Sequence, residues 1–443
     1  MMVKKYRDKE IQREICFQSP VKLDLKEMAR LLCDRKSYRV LPMISHQEDI
    51  SISLCGQEER LVREFRSIIL RPSATARGYC LRLEEGSLVY NGNEVLHQHD
   101  VYVCYEHKNV RGLKALLAEI TASQPLVLAE PDVGQRFKQQ QGNLDFVATS
   151  ADAFGTNSPA SKYLLWQLYL VNQGWSDFLC KPLERVTLRQ LRVKIRRLRS
   201  CMAFFKPVLE QEGAVFWQNR MRKQGEVLSL LRELDVALMA TEKIRQQKPP
   251  SMEEQPERLA GLFRRQRQEE ALRLKKKLDL SEISLEMAEL LLWLRGETAK
   301  EAYAAGMADI SQFLWERIKQ WSRNLSALTK KYPDFSNIDE LHKIRIKVKR
   351  FRYVMMTLPE INRNTGSMLR KLKRLQDVLG FLHDEYVNGQ LVKEIVAGGD
   401  EELRYEAALF TGWEGAKIQE ASRLLPDLWE DFCEELEIWQ ETV

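Results

Sequence analysis

The 443-residue chain holds no run of about 18 apolar residues, the length a membrane-spanning helix needs. Its first residues, MMVKKYRDKEIQRE, carry charge but none of the apolar stretch of a secretory signal, so a cytoplasmic protein is expected. Eight cysteines are scattered without one Cys-x-x-Cys pair, which argues against a zinc or disulfide framework and for reduced thiols. Histidine is scarce, with 6 residues. His97 and His99, on an expected strand with His107 nearby, read better as an exposed pair than as metal ligands. Gly155-Thr-Asn-Ser158 lacks the lysine of a phosphate-cradling loop, and no serine or cysteine has a visible histidine partner. Nothing here points to a metal, a cofactor or a catalytic residue.

What the chain does have is a repeated cationic segment. Leu188–Ser200 reads LRQLRVKIRRLRS and Leu341–Tyr353 reads LHKIRIKVKRFRY, 153 residues later. Charge type is kept at almost every step, in Arg192/Arg345, Arg196/Lys349 and Arg199/Arg352, with Arg189 set against His342, and the apolar positions match as well. At about 100° per residue, Arg189, Arg192, Arg196 and Arg199 fall within an arc of roughly 80° along about 15 Å of helix. Leu188, Leu191, Ile195, Leu198 and Met202 occupy the adjoining arc, so the basic stripe borders the buried face. Lys194 and Arg197 are expected at the solvent.

Arg185–Val208 contains eight Lys/Arg and no acid, and Leu341–Gln376 eleven against Glu360. Like charges three and four apart destabilise a helix, so a bound polyanion or intramolecular carboxylates must offset them. The net charge of +6 understates this segregation, because Asp427–Glu441 holds seven acids and no base. Its Leu428, Trp429, Phe432, Cys433, Leu436 and Trp439 have helical spacing, which predicts an amphipathic terminal helix packed on the bundle; a self-inhibitory mimic of a polyanion is the other reading.

Two more blocks repeat in the same order. Arg220, Arg222 and Lys223 match Lys371, Lys373 and Arg374 at an offset of 151, and Ser229–Val236 aligns with Gly380–Val387, setting Arg232 against His383. Arg267–Leu274 matches Lys417–Leu424 with a one-residue slip. Three helical blocks repeated in order indicate a tandem duplication.

Leu341-His-Lys-Ile-Arg-Ile346, Leu230-Leu-Arg-Glu-Leu-Asp-Val236 and Leu375–Asp384 resemble the CHAD domain, the conserved histidine alpha-helical domain, from about Ser161 to the C-terminus. One departure is Arg189, which stands where the first copy would carry the histidine. The resemblance implies a helical bundle of two pseudo-symmetric halves around a basic cavity that binds inorganic polyphosphate without catalysis. Arg189, Arg192, Arg196 and Arg199 would then face His342, Arg345, Lys349 and Arg352. Arg220, Lys223, Lys371 and Arg374 would extend the wall, and His383 would belong to the cavity. Recruitment to polyphosphate granules fits the same reading.

Upstream the character changes. Residues 1–141 read as an α+β module, 142–160 as a linker, and 161–443 as the helical domain, with halves at about 161–247 and 257–443 separated by the loop Gln246–Pro256. A strand is expected at Ile11–Phe17, helices at Asp24–Arg35 and Lys108–Thr121, and a hairpin joining Tyr79–Tyr90 to Glu94–Tyr105 through Asn91-Gly92. Arg60, Arg63 and Arg66 recur every third residue, which suits a surface helix. CHAD domains often follow a CYTH domain, a triphosphate tunnel whose first strand carries Glu-x-Glu-x-Lys. Glu10-Ile-Gln-Arg-Glu14 is a degenerate version, with Gln12 and Glu14 at the positions of the second acid and the lysine. The fold expected is therefore mainly α, a helical bundle preceded by a smaller α+β domain. A nucleic-acid binder, a triphosphate hydrolase in the first module and a purely structural scaffold remain the rival functions.

Overall fold

The computed structural model describes residues 13–19, 25, 26, 29, 38–54, 57–72, 79–105, 110–123, 126–129, 132–140, 159–247, 256–296, 310–329, 337–358 and 365–442. Most of the expected linker (142–158), the loop after Gln247, most of the Asp24–Arg35 helix, His107 and Glu10–Gln12 lie outside them; residues 159 and 160 of that linker instead begin a helix. The described chain packs as two compact units, one of residues 1–180, 208–217 and 278–304, the other of residues 181–207, 218–277 and 305–443. It is mainly helical after residue 159 and α+β before it.

The first unit is built on an antiparallel sheet of β1 (Arg13–Gln18), β2 (Tyr38–Val40), β3 (Ile44–Leu54), β4 (Gln57–Pro72), β5 (Tyr79–Tyr90), β6 (Asn93–Tyr105) and β7 (Val127–Ala129). Its order is β2-β4-β5-β6-β1-β7, with β3 also paired to β4. The β5–β6 hairpin turns where the sequence placed it, because Asn91 (φ 50°) and Gly92 (φ 76°) both accept the left-handed backbone of such a turn. Helices α1 (Val110–Ser123), α2 (Val133–Gln140), α3 (Pro159–Cys180) and α8 (Leu280–Leu294) complete the unit. The helix that begins at Pro159 therefore packs with the sheet.

Alternation along the strands separates two faces. Ile15, Phe17, Leu81, Leu83, Val101 and Val103 are fully buried on one. The other carries paired charges. Arg136 holds Asp100 with bonds of 2.8 and 2.6 Å; Arg63 donates to Glu84 at 2.6 Å and to Gln98 at 2.8 Å; Arg82 reaches Glu84 at 2.7 Å and Glu14 at 3.1 Å.

Arg60, Arg63 and Arg66 correct the sequence reading: they lie on β4, not on a helix. The period of three comes from cross-strand pairing, not from a helical face. Arg60 and Arg66 point to one side and pair with Asp49 and Glu85, while Arg63 turns to the other and is buried.

The second unit holds α4 (Arg185–Phe205), α6 (Ser229–Gln247), α7 (Glu257–Lys277), α9 (Ile310–Thr329), α10 (Ile338–Thr357), α11 (Gly366–Val396) and α12 (Glu401–Thr442), with the later part of α5 (Gln211–Val227). The two copies of the cationic segment become α4 and α10, which pack against each other. Leu188, Leu191, Ile195, Leu198 and Met202 are all buried, as are Ile344, Val348 and Phe351. The second repeated block spans α5 and α6 in its first copy and lies on α11 in its second, and α6 and α11 also touch. Leu234, Leu238 and Ile244 of α6 share a core with Phe263 of α7, Leu391 of α11 and Phe410 of α12. The terminal segment is helical as expected, the end of α12, with Trp429, Phe432, Leu436 and Trp439 buried.

Candidate functional site

A cleft of about 300 Å³ opens among α4, α6, α10 and α11, lined by Arg189, Arg192 and Arg196 of α4, Arg232 and Lys243 of α6, Lys349 and Tyr353 of α10, and Gln376, Asp377, Phe381, Asp384 and Glu385 of α11. The basic stripe of α4 reaches it because it borders the apolar face that packs on α10. Arg192 and Arg196 directly follow the buried Leu191 and Ile195 and lie one helical turn apart, which puts both at the edge of that interface.

Six cations face three carboxylates in this lining, and the excess is felt. Burial, reinforced by Arg196 and Arg232, pushes Arg192 down to about 10. Its Nη1 donates to the Gly225 carbonyl at 3.0 Å, but its Nε is buried without a partner. Burial pushes Arg345 down to about 10 as well, partly opposed by Asp384. Lys349 falls furthest, to about 7, through burial and the nearby Arg345 and Arg196. Asp384 is the main counter-charge, 3.6 Å from Arg345 and 3.7 Å from Arg232.

The sequence-derived residues spread beyond the cleft. Arg189, Arg192, Arg196 and Lys349 line it. Arg345 joins it through Asp384, and His383, next along α11, meets His342. Arg352 donates to Gln376 of the lining at 3.2 Å. Arg199 is half-buried beside Arg350 and Arg222, away from the lining. Arg220, Lys223 and Arg374 are exposed on α5 and α11. Lys371 is engaged by the terminal helix, 3.1 Å from the Asp431 carbonyl and 3.3 Å from Glu435. Arg197, expected at the solvent, is instead half-buried near Tyr353, because it lies on the α4 flank that α10 covers.

Arg232 and Lys243 were absent from the sequence-derived set. Arg232 had a signal, its alignment with His383, but it stands outside the cationic runs, between Leu231 and Glu233. Lys243 had none. The carboxylates Asp377, Asp384 and Glu385 could not be placed inside a cationic site from charge runs alone.

Residues 180–393 match the model of the CHAD domain. The chain carries a CHAD domain. The match spans α4 to α11 up to Lys393, and so contains the whole cleft lining. The solved structures that resemble the chain include the following two. The crystal structure of the CHAD domain from the plant Ricinus communis is 20% identical, covers 62% of this chain and 91% of that one, and superposes with a TM-score of 0.49. PptA from Streptomyces chartreusis is 12% identical, covers 61% of this chain and 98% of that one, with a TM-score of 0.46. No curated protein matches the chain. Among the described residues, no helix of the CHAD domain or outside it is long and apolar enough to cross a membrane.

Proposed function

We propose that the CHAD domain binds inorganic polyphosphate, or a similar phosphate-rich polyanion, in the α4–α6–α10–α11 cleft, and does so without catalysis. The observation that carries this reading is the unbalanced charge in and beside the lining: Arg192 and Lys349 of the lining and the neighbouring Arg345 are all pushed down by burial among like charges. Phosphoryl oxygens relieve that repulsion. Arginine meets them with paired hydrogen bonds and lysine with a point charge. The family resemblance supports the same ligand.

Two further features favour polyphosphate over nucleic acid. Tyr353 and Phe381 are the aromatics of the lining; Tyr353 is buried, and Phe381 lies under Lys243 at 5.7 Å. Strand-length stacking of bases needs a longer platform. The non-catalytic part of the reading is supported by the first unit, where Glu84 and Asp100 are occupied by arginines. A triphosphate hydrolase needs such carboxylates for its divalent cation.

The test is the triple variant Arg192→Gln, Arg196→Gln and Lys349→Gln. Charge-assisted bonds contribute about 1.5–3 kcal/mol each, so polyphosphate affinity is expected to fall about a hundredfold or more while helicity stays unchanged. Unaltered affinity in a folded triple variant overturns the assignment of this cleft.

A further inference from the structure

Cys80 of β5 and Cys104 of β6 stand directly opposite each other in the antiparallel ladder. Residues so placed keep their Cα atoms about 4.5–5.5 Å apart, inside the roughly 4.4–6.8 Å that a disulfide spans. The thiols already interact: the Cys104 S–H has the Cys80 sulfur as one acceptor and Glu14 Oε1, at 3.9 Å, as another. Cys80 is partly exposed and Cys104 buried. We propose that Cys80 and Cys104 form a reversible oxidation site, at which a peroxide converts the dithiol to a cross-strand disulfide.

The roles divide by environment. The hydrogen bond from Cys104, with Arg82 and Arg71 nearby, holds the Cys80 thiol below its ordinary value although burial opposes it. Donating that bond, together with burial and the Glu14 carboxylate, pushes Cys104 well up. Cys80, which a peroxide can reach, is therefore the attacking thiolate and the buried Cys104 the resolving thiol. The Cys80 sulfur attacks one peroxide oxygen and the O–O bond breaks, leaving Cys80 as a sulfenic acid and the other oxygen as hydroxide, or as alkoxide from an organic peroxide. That anion takes up a proton. The Cys104 sulfur then attacks the Cys80 sulfur, the S–O bond breaks, and the departing hydroxide leaves as water with the Cys104 proton, which Glu14 is placed to pass on. Two sulfurs give up two electrons, and hydrogen peroxide ends as two waters.

The bond would be easy to reverse. Cross-strand Cβ atoms lie about 4.5–5.5 Å apart, beyond the mean of about 3.8 Å for a relaxed disulfide, and strained disulfides are the readily reduced ones. Three other described thiols are less suited, and Cys180 is exposed. Cys16 belongs to the same cluster, but burial and Asp100 push its thiol well up. Burial pushes Cys201 and Cys433 up to about 12.

The full chain is titrated with hydrogen peroxide, digested without reductant and mapped by mass spectrometry. A peptide cross-linked between Cys80 and Cys104 is expected as the main product, lost on treatment with dithiothreitol. In Cys104→Ser, Cys80 is expected to stop at a sulfenic acid that dimedone traps; in Cys80→Ser, oxidation of Cys104 slows about tenfold or more, as its thiolate fraction is small. A main cross-link from Cys80 to Cys16 or to any other cysteine overturns the proposal. So does oxidation elsewhere that leaves the pair as thiols. The wild-type map decides the matter even if a serine variant fails to fold.

Discussion

The Nδ1 atoms of His342 and His383 stand 3.2 Å apart, with ring centroids separated by 4.7 Å. One nitrogen must donate and the other accept, so at least one of the two rings is neutral. The contact joins α10, which carries the second cationic copy, to α11, which carries Asp384.

This pair makes the stability of the ligand-free protein depend on pH. Burial, then Arg345 and His342, push His383 down to about 4, against an ordinary value of about 6.5. Between those values the unfolded chain binds more protons than the folded one, so stability is lost as the pH falls from about 6.5 to about 4. Denaturant midpoints across that range are expected to drop in the wild type and to flatten in His383→Gln. A slope unchanged by the substitution contradicts this role for His383.

Lys349 gives the opposite kind of readout, through ligand. Its amine is pushed down to about 7 by burial, Arg345 and Arg196, with Asp384 opposing. A phosphate chain held against it favours the charged form, so binding takes up a proton above neutrality and weakens as the pH rises through about 7. Calorimetry near pH 8 in buffers of differing ionisation enthalpy is expected to report that uptake, and Lys349→Arg, charged throughout, to diminish it.

Arg267 of α7 donates to Asp235 of α6 at 2.7 Å, and both side chains are buried. Removing one partner of such a pair costs about 3–5 kcal/mol where the other charge is left alone; Arg185, 3.7 Å from Asp235, stays beside the carboxylate, which favours the lower end. Arg267→Met is expected to destabilise the protein by that amount in denaturant unfolding, and the double variant Arg267→Met with Asp235→Leu to recover most of it.

Trp439 of α12 packs edge-on against Phe351 of α10, at 6.4 Å and 84°, and is buried. Trp439→Ala is expected to cost about 3–5 kcal/mol by the cavity it leaves. A loss below about 1 kcal/mol would mean that the terminal helix is not integral to the bundle.

Much of this was legible in the residues. The duplicated apolar positions located the buried faces of α4 and α10, and Asn91-Gly92 fixed a hairpin because few other dipeptides tolerate its backbone. Other parts were not legible, for physical reasons. Arg60, Arg63 and Arg66 have a helical spacing, whereas on a strand they fall on both faces, and only the acids of neighbouring strands give each its partner. Asp384 is one acid after a long basic run, and its position between Arg232 and Arg345 depends on how α6, α10 and α11 pack. The terminal acids are divided: Glu435 turns inward to Lys371, whereas Asp427 and Glu434 are exposed on the same helix, a distinction that composition does not contain.

Calorimetric titration of the purified protein with long-chain polyphosphate, with single-stranded RNA as control, tests the central claim most directly. Tight binding that RNA does not match is predicted. If about four phosphates are neutralised, affinity should fall roughly 50-fold between about 50 mM and about 200 mM salt. No binding, or an affinity flat with salt, would contradict a polyanion site in the cleft and leave its cations a structural role.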